Sequence, residues 1–232
     1  MLLMTSATFV IAINWGVFIW GVTHGYVVEA SLGYFINPLI TVAFGVVFVG
    51  ERLRSLQWAA LTVALFAVLI LTIGSGRPPW LALTLACSFA TYGLIKKKAD
   101  LGAVESLSVE TLIAFPIALG YLGWLGTQGT LVFGHAGNTN TVLLIGTGLI
   151  TAFPLLMFGA AATRIPLSSL GMLQYVGPIV QFLFGIFLFQ EHMASSRWFG
   201  FILVWAALSI FTYDAIRNHR RTLGESAEAT AL

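Results

Sequence analysis

EASLGYFINP, at residues 29–38, opens an apolar run that continues to Gly50 and ends at Glu51. A stretch of the same design runs from Ser169 to Glu191. Four residues recur at an offset of 140 positions, with no insertion or deletion: Pro38 and Pro178, Gly45 and Gly185, Glu51 and Glu191, and Trp58 and Trp198. The chain is therefore predicted to contain a duplicated unit.

The composition is typical of a protein that lies within a membrane. Of the 232 residues, 58% are hydrophobic and only 9% are charged, whereas soluble domains carry about 25% charged residues. Apolar runs of roughly twenty residues match the ~30 Å core of a bilayer when they are helical, and barrel strands would instead alternate over about ten residues. The sequence therefore predicts an all-α integral membrane protein, surrounded by lipid.

Eight membrane-spanning helices are predicted from the apolar runs and the breaks between them. They cover residues 2–22, 31–50, 56–73, 79–95, 107–125, 141–161, 169–189 and 198–216. The polar residues 217–232 are predicted to form a loose cytoplasmic tail. Lysine and arginine are retained mainly on the cytoplasmic side. With a cytoplasmic N-terminus, only Arg77 and Arg197 of the 11 basic residues lie outside, so both termini are expected in the cytoplasm.

The repeat offset indicates how the two copies are arranged. It corresponds to five helices, an odd number, so the second copy is expected to be inserted upside down. Inverted repeats are typical of secondary transporters, whose halves rock about a site near the bilayer midplane. Residues 1–73 would be the last three helices of the first repeat, and residues 74–216 all five helices of the second. The first repeat would then lack two helices. We expect either that the chain starts too late or that it is an eight-helix form completed by a second subunit, as in a homodimer.

Several motifs carry a family resemblance. The segment EASLGYFINPL at residues 29–39, with Gly45 and the Gly50–Glu51 pair, resembles the RarD branch of the EamA transporters, in the drug/metabolite transporter superfamily. The likeness continues through residues 92–98, 110–112 with Pro116, 159–164, 169–171, 174–178 and 205–215. The resemblance implies a ten-helix fold of two inverted five-helix halves in the bacterial inner membrane, of which the first two helices are absent here.

Two polar stripes are the main candidates for a substrate cavity. Tyr34, Asn37 and Thr41 are spaced i, i+3, i+7 and share one helical face. Their equivalents 140 residues later are Gln174, Gly177 and Gln181. Because lipid penalises such groups, we expect them to line a central cavity and to contact a small-molecule substrate. The alternative is hydrogen bonding between helices for packing alone, worth about 0.6 kcal/mol per bond.

Four further residues are predicted beside this cavity. Asn14, near the middle of the first span, is expected to face inward. Trp15 could supply an aromatic wall or a cation–π face, with simple packing as the alternative. Pro38 and Pro178 fall inside spans, where each removes a helical hydrogen bond. They are predicted as hinges, and the alternative is a kink kept for packing.

Glu110 is the only acidic residue that we place inside a span. A carboxylate there is costly, so it is a candidate for proton coupling or for a counter-ion. It lies near the cytoplasmic end of its span, so the alternatives are contact with headgroup water or a pair with Lys96, Lys97 or Lys98. Glu51 is expected to have a structural role.

The remaining residues indicate no other chemistry. No converging catalytic groups, nucleotide-binding loop or metal-ligand spacing is found, so we predict no catalytic residues, no cofactor, no metal and no enzyme activity. The basic residues lie in loops, which argues against a nucleic-acid partner. The single cysteine, Cys87, excludes a disulfide within the chain and is expected in the core. A non-transporting membrane scaffold or partner subunit and, less favoured, a membrane-embedded enzyme are the alternatives to a transporter.

Overall fold

The structure, a computed structural model, describes residues 1–24, 26–73, 80–177, 180 and 195–230, and all regular structure within them is helical. In a bilayer every backbone N–H and C=O needs an internal partner, which a helix provides. The helices are α1 (Leu2–Thr23), α2 (Val27–Phe44), α3 (Ser55–Ile73), α4 (Trp80–Ala99), α5 (Ala103–Thr127), α6 (Asn138–Arg164), α7 (Leu167–Leu173) and α8 (Ser195–Thr230). A π-helical turn, Gly45–Val49, extends α2.

Three of these helices, α1, α5 and α6, are long and apolar enough to cross a membrane. Shorter apolar segments lie at Gly33–Val49 and Ser55–Ile70. Most side chains of α5 and α6 face outward, and Leu112 and Ile150 are 72% and 75% exposed. Apolar side chains exposed along helices of this length are suited to contact with lipid.

The predicted helix boundaries agree with the structure for most of the chain and fail near its C-terminal end. The predicted loose tail is wrong, because α8 continues without a break to Thr230. Residues 217–223 contain neither glycine nor proline, and arginine, leucine, glutamate and alanine in the tail are good helix formers. The predicted span 169–189 is interrupted in the structure: α7 ends at Leu173, Gln174 and Tyr175 form a turn, and Val176 and Gly177 are helical again. Most of residues 178–189 lie outside the described part of the chain.

Helix starts recur with the spacing found in the sequence. The helices α2 and α7 begin at Val27 and Leu167, 140 residues apart. The repeated residues and these helix starts therefore share one register.

The helices form two compact units. The α5/α6 unit consists of Met1–Ile13 and Thr91–Ile165, and the α2/α7 unit of Asn14–Ala90 and Pro166–Leu232. Within the α2/α7 unit, α3 and α8 form the most extensive helix pair. Ala60, Ala64 and Ala67 of α3 and Ala207 of α8 are all fully buried in its core. Small side chains in that pattern allow close helix approach.

Glu51 joins the end of the first repeated segment to the start of α7. Its carboxylate oxygens accept hydrogen bonds from the backbone N–H groups of Leu167, at 2.5 Å, and Ser168, at 2.8 Å. The first N–H groups of a helix have no intrahelical partner, and negative charge is favourable there. A Cβ at Gly45 would lie 2.8 Å from the Glu51 Oε2 atom. The absence of a side chain at Gly45 therefore leaves room for this contact.

Candidate functional site

A cavity of about 500 Å³ lies within the α2/α7 unit. Its walls come from α1, α2, α4 and the residues that follow α7. The described lining residues are Asn14, Ala30, Gly33, Tyr34, Asn37, Leu85, Phe89, Gln174 and Gly177. Three of them are carboxamides, and none of these described residues is charged. The volume falls within the range of pockets that hold small organic molecules.

A hydrogen bond between two carboxamides joins α2 to the end of α7. The Thr41 hydroxyl donates to Asn37 Oδ1 at 3.4 Å, which directs the Asn37 nitrogen toward Gln174. Asn37 Nδ2 donates to Gln174 Oε1. An amide can donate only through its nitrogen, so Gln174 is left with a donor, Nε2. That atom is buried and has no hydrogen-bond partner among the described residues.

Asn14 has the opposite arrangement and leaves an acceptor. Its Nδ2 atom donates to the Leu85 carbonyl at 2.9 Å and to Ser88 Oγ at 2.8 Å. The Ser88 hydroxyl already donates to the Thr84 carbonyl at 2.7 Å, so it must accept from Asn14. A carbonyl can only accept. Both contacts therefore fix the Asn14 nitrogen toward α4, and Oδ1 has no donor among the described hydrogen bonds.

Aromatic and aliphatic groups complete the described wall. Tyr34 is 42% exposed, and its ring packs edge-on against Phe18, with centroids 6.0 Å apart and planes at 71°. Phe89 and Leu85 lie on α4. A Cβ at Gly33 would lie 3.1 Å from the Ala82 carbonyl oxygen. Glycine at this position therefore lets α2 approach α4 closely, so that the carboxamides and the aromatic rings surround one space.

The structure brings together four of the predicted cavity residues: Asn14, Tyr34, Asn37 and Gln174. Two others lie elsewhere. Thr41 is fully buried against α7. A Cβ at Gly171 of α7 would lie 3.2 Å from the Thr41 Cβ. Trp15 is 41% exposed and does not line the cavity.

The two predicted hinges and the last stripe residue have different outcomes. Pro38 is buried inside α2, which passes through it without interruption. Pro178 and Gln181 lie outside the described residues. Among the described residues, the interruption near the cavity is instead the turn at Gln174 and Tyr175.

The sequence pattern missed the part of the cavity formed by α4. Leu85 and Phe89 are apolar and resemble any other lipid-facing or core residue of a span. Ser88, a polar residue within the predicted span 79–95, was the available signal. Its contact with Asn14 joins residues 74 positions apart, which helical spacing alone does not predict.

Glu110 lies in the α5/α6 unit within a buried network. Its Oε1 atom is 2.5 Å from Lys96 Nζ, and the two side chains are 5% and 3% exposed. The Tyr92 hydroxyl donates to Oε2 at 3.0 Å, and the Ser106 hydroxyl to Oε1 at 3.2 Å. Three donors thus converge on this one carboxylate. The geometry therefore favours the lysine pair among the alternatives for Glu110.

Two further side chains bear on the predicted chemistry. Lys97 Nζ donates to the Ile165 carbonyl at 2.6 Å, at the end of α6, where a cation is favoured. Cys87 is exposed on α4 rather than in the core. Within the described part of the chain, no group of three histidine, cysteine, aspartate or glutamate side chains could hold a metal ion.

Comparisons with known proteins decide the family. Residues 1–73 match the model of the EamA-like transporter family. Protein RarD of Streptomyces exfoliatus is 55% identical over 232 residues, which cover 99% of this chain and 74% of that protein. The chain belongs to the RarD branch of the EamA-like transporter family. The resemblance read from the sequence motifs is thereby confirmed.

Other RarD-type relatives and one solved structure agree. Protein RarD of Escherichia coli K12 is 43% identical, with 90% of this chain and 71% of that protein covered. The uncharacterized transporter YojE of Bacillus subtilis is 42% identical, with 92% and 71% covered. A crystal structure with 17% identity and a TM-score of 0.60 covers 90% of this chain and 88% of its own, so it shares the fold. This RarD-type chain is accordingly a multi-pass helical membrane protein.

Proposed function

We propose that this RarD-type protein is a secondary transporter that moves a small organic solute across the bacterial inner membrane by alternating access, with both termini in the cytoplasm. The observation that carries the proposal is the carboxamide-lined cavity within apolar helices. Membrane interiors tolerate polar side chains where they pair or line a substrate path. A cavity of this size and polarity therefore suits a binding site for a transported solute.

The position of the cavity relative to the repeat supports the proposal. Tyr34 and Gln174 are equivalent positions of the two copies, as are Asn37 and Gly177. All four line the same cavity. In transporters built from inverted repeats, the substrate site lies where equivalent segments of the repeats meet. The shared 140-residue spacing of the helix starts supports the same arrangement.

The interruption after α7 supplies a candidate moving element. Transporter sites are commonly formed by broken helices, whose backbone groups face a cavity rather than lipid. Here α7 has seven residues and ends beside Gln174, which both lines the cavity and bonds to Asn37. We assign the change between inward and outward access to this turn, with α2, continuous through Pro38, as the fixed wall.

Glu110 has a positioning role in this proposal. Its carboxylate pairs with Lys96 and also accepts hydrogen bonds from Tyr92 and Ser106. Proton coupling, the other role predicted for Glu110, would require this pair to break. The pair instead holds α4 against α5 within the α5/α6 unit.

Transport can be tested with the full chain in liposomes loaded with a defined mixture of amino acids, nucleosides and neutral amides. Loss of each solute would be followed by mass spectrometry. We expect at least one solute to leave faster than from protein-free liposomes, in a saturable and competable way. Asn37→Ala and Gln174→Ala should abolish this flux, and Gln128→Ala, at the exposed end of α5, should not. No protein-dependent flux for any solute would favour the scaffold alternative.

A further inference from the structure

The hydrogen-bonding atoms at the cavity narrow the chemistry of its ligand. We propose that the cavity binds an uncharged solute that carries both a hydrogen-bond donor and an acceptor, as a carboxamide does, on an aromatic or aliphatic body. This inference rests on the proposed transport site and names the class of solute that the site takes.

Two polar atoms at the lining have no described hydrogen-bond partner. Gln174 Nε2 is a buried donor with no partner among the described residues, and a buried polar group without a partner is destabilising until a ligand or water satisfies it. Asn14, which is partly buried, has an acceptor, Oδ1, that no described group fills. A solute acceptor would satisfy Gln174, and a solute donor would satisfy Asn14. A primary or secondary amide presents both within one planar group.

None of the described lining residues is charged. A buried ion needs a counter-charge or it pays a large desolvation cost. Three charged groups of the α2/α7 unit are already engaged: Glu51 with the start of α7, and Arg54 and Asp214 with each other at 2.5 Å. The described lining therefore offers an ionic solute no compensation.

The apolar wall and the volume of the cavity restrict the class of solute further. Tyr34, Leu85 and Phe89 provide aromatic and aliphatic surface beside the carboxamides. Pockets of several hundred Å³ hold ligands that are mainly apolar, with a few placed polar contacts. The cavity is thus matched to an amphipathic solute rather than to a sugar or a small inorganic ion.

Three probes of one shape isolate the effect of charge: benzamide is neutral, benzoate is an anion and benzamidine is a cation. Binding would be measured by saturation-transfer NMR with the full 232-residue chain in lipid nanodiscs. We expect the Kd of benzamide to be at least tenfold below that of either ion. The natural solute is expected to be larger, so benzamide serves only as a probe of the polar contacts.

Isosteric variants test which atoms set the preference. Gln174→Glu replaces the free donor by a negative charge, and Asn14→Asp introduces the same charge on α1. Each variant should change the ratio of the benzamide Kd to the benzamidine Kd by at least tenfold in favour of benzamidine. Gln128→Glu makes the same chemical change at the exposed end of α5 and should leave the order unchanged. Circular dichroism and size-exclusion chromatography would identify the variants that remain folded. One folded cavity variant, either Gln174→Glu or Asn14→Asp, is enough for the test.

The outcomes separate this inference from the transport proposal. Equal binding of the three probes, tighter binding of an ion to the unmodified chain, or an unchanged order in a folded cavity variant would overturn the inference. Selective benzamide binding without any solute flux would leave the inference standing and overturn the transport proposal. Saturable flux with no preference among the probes would overturn the inference and leave the transport proposal standing.

Discussion

Replacement of Glu110 by glutamine should strongly destabilise the protein, because it leaves the Lys96 ammonium buried without a counter-charge. The two side chains are 5% and 3% exposed, and the charged atoms are 2.5 Å apart. At an effective dielectric constant of about 20, the gross attraction at that distance is roughly 7 kcal/mol. Desolvation of both ions offsets most of it. Removal of one partner alone is expected to cost about 3–5 kcal/mol of unfolding free energy.

The double variant Lys96→Met with Glu110→Gln should recover much of that loss. It removes both charges, while the glutamine oxygen can still accept from Tyr92 and its nitrogen can donate to Ser106 Oγ, which no longer accepts from Lys96. We therefore expect a coupling energy of at least about 2 kcal/mol between the two positions. Glu105→Gln is the matched control on α5, since Glu105 is exposed and bonds only to the backbone N–H of Gly102 in the described structure.

Unfolding in mixed detergent micelles, with SDS as denaturant and far-UV circular dichroism as readout, would give these free energies. The control should change stability by less than about 0.5 kcal/mol. A loss below about 1 kcal/mol for Glu110→Gln, or a double variant as unstable as the sum of the single variants, would refute the reasoning. Either result would mean that water or lipid headgroups reach the pair.

Three smaller predictions can be measured in the same unfolding assay. Glu51→Gln should cost about 1–2 kcal/mol, because one charged acceptor at the start of α7 is lost, and faster hydrogen exchange in the first turn of α7 would locate the effect. Gly171→Ala should lower the unfolding free energy by more than about 1 kcal/mol, since the new Cβ would lie 2.8 Å from the Pro38 carbonyl oxygen. A Cβ at Gly120 would meet nothing within 4 Å. Gly120→Ala should therefore be neutral or stabilising by up to ~1 kcal/mol. Lys97→Met should cost about 0.5–1 kcal/mol through the lost contact at the end of α6, and an unchanged midpoint would show that this contact contributes nothing.

Helical periodicity identified part of the cavity and could not identify the rest. Tyr34 and Asn37 are on the predicted face, but Thr41, on the same face, lies further along α2, where Gly171 packs against it. Periodicity gives the direction of a side chain and not the level at which a neighbouring helix crosses. Asn14 and Trp15 are adjacent, so they point about 100° apart on a helix and do not face the same wall. Only the contact with α4 distinguishes them.

The 140-residue offset was the most informative long-range signal in the sequence. It related Gln174 to Tyr34, and the structure places both at the cavity. It did not predict that α7 would end at Leu173 while α2 continues through Pro38, because equivalent positions can differ in local backbone. Likewise, the sequence offered three lysines as partners for Glu110. Tertiary packing selects Lys96 and directs Lys97 to the Ile165 carbonyl.

The contact between Glu51 and the start of α7 has a consequence for the order of events during synthesis. The carboxylate and its partner, the Leu167 N–H, are 116 residues apart. At about 5–20 residues per second, the ribosome needs roughly 6–23 s to make that interval. During this delay the first three helices can insert, but they cannot reach their final packing. Glu51 must keep its charge solvated until α7 arrives, so a translation pause between the two segments should prolong the exposure of newly made chains to membrane proteases.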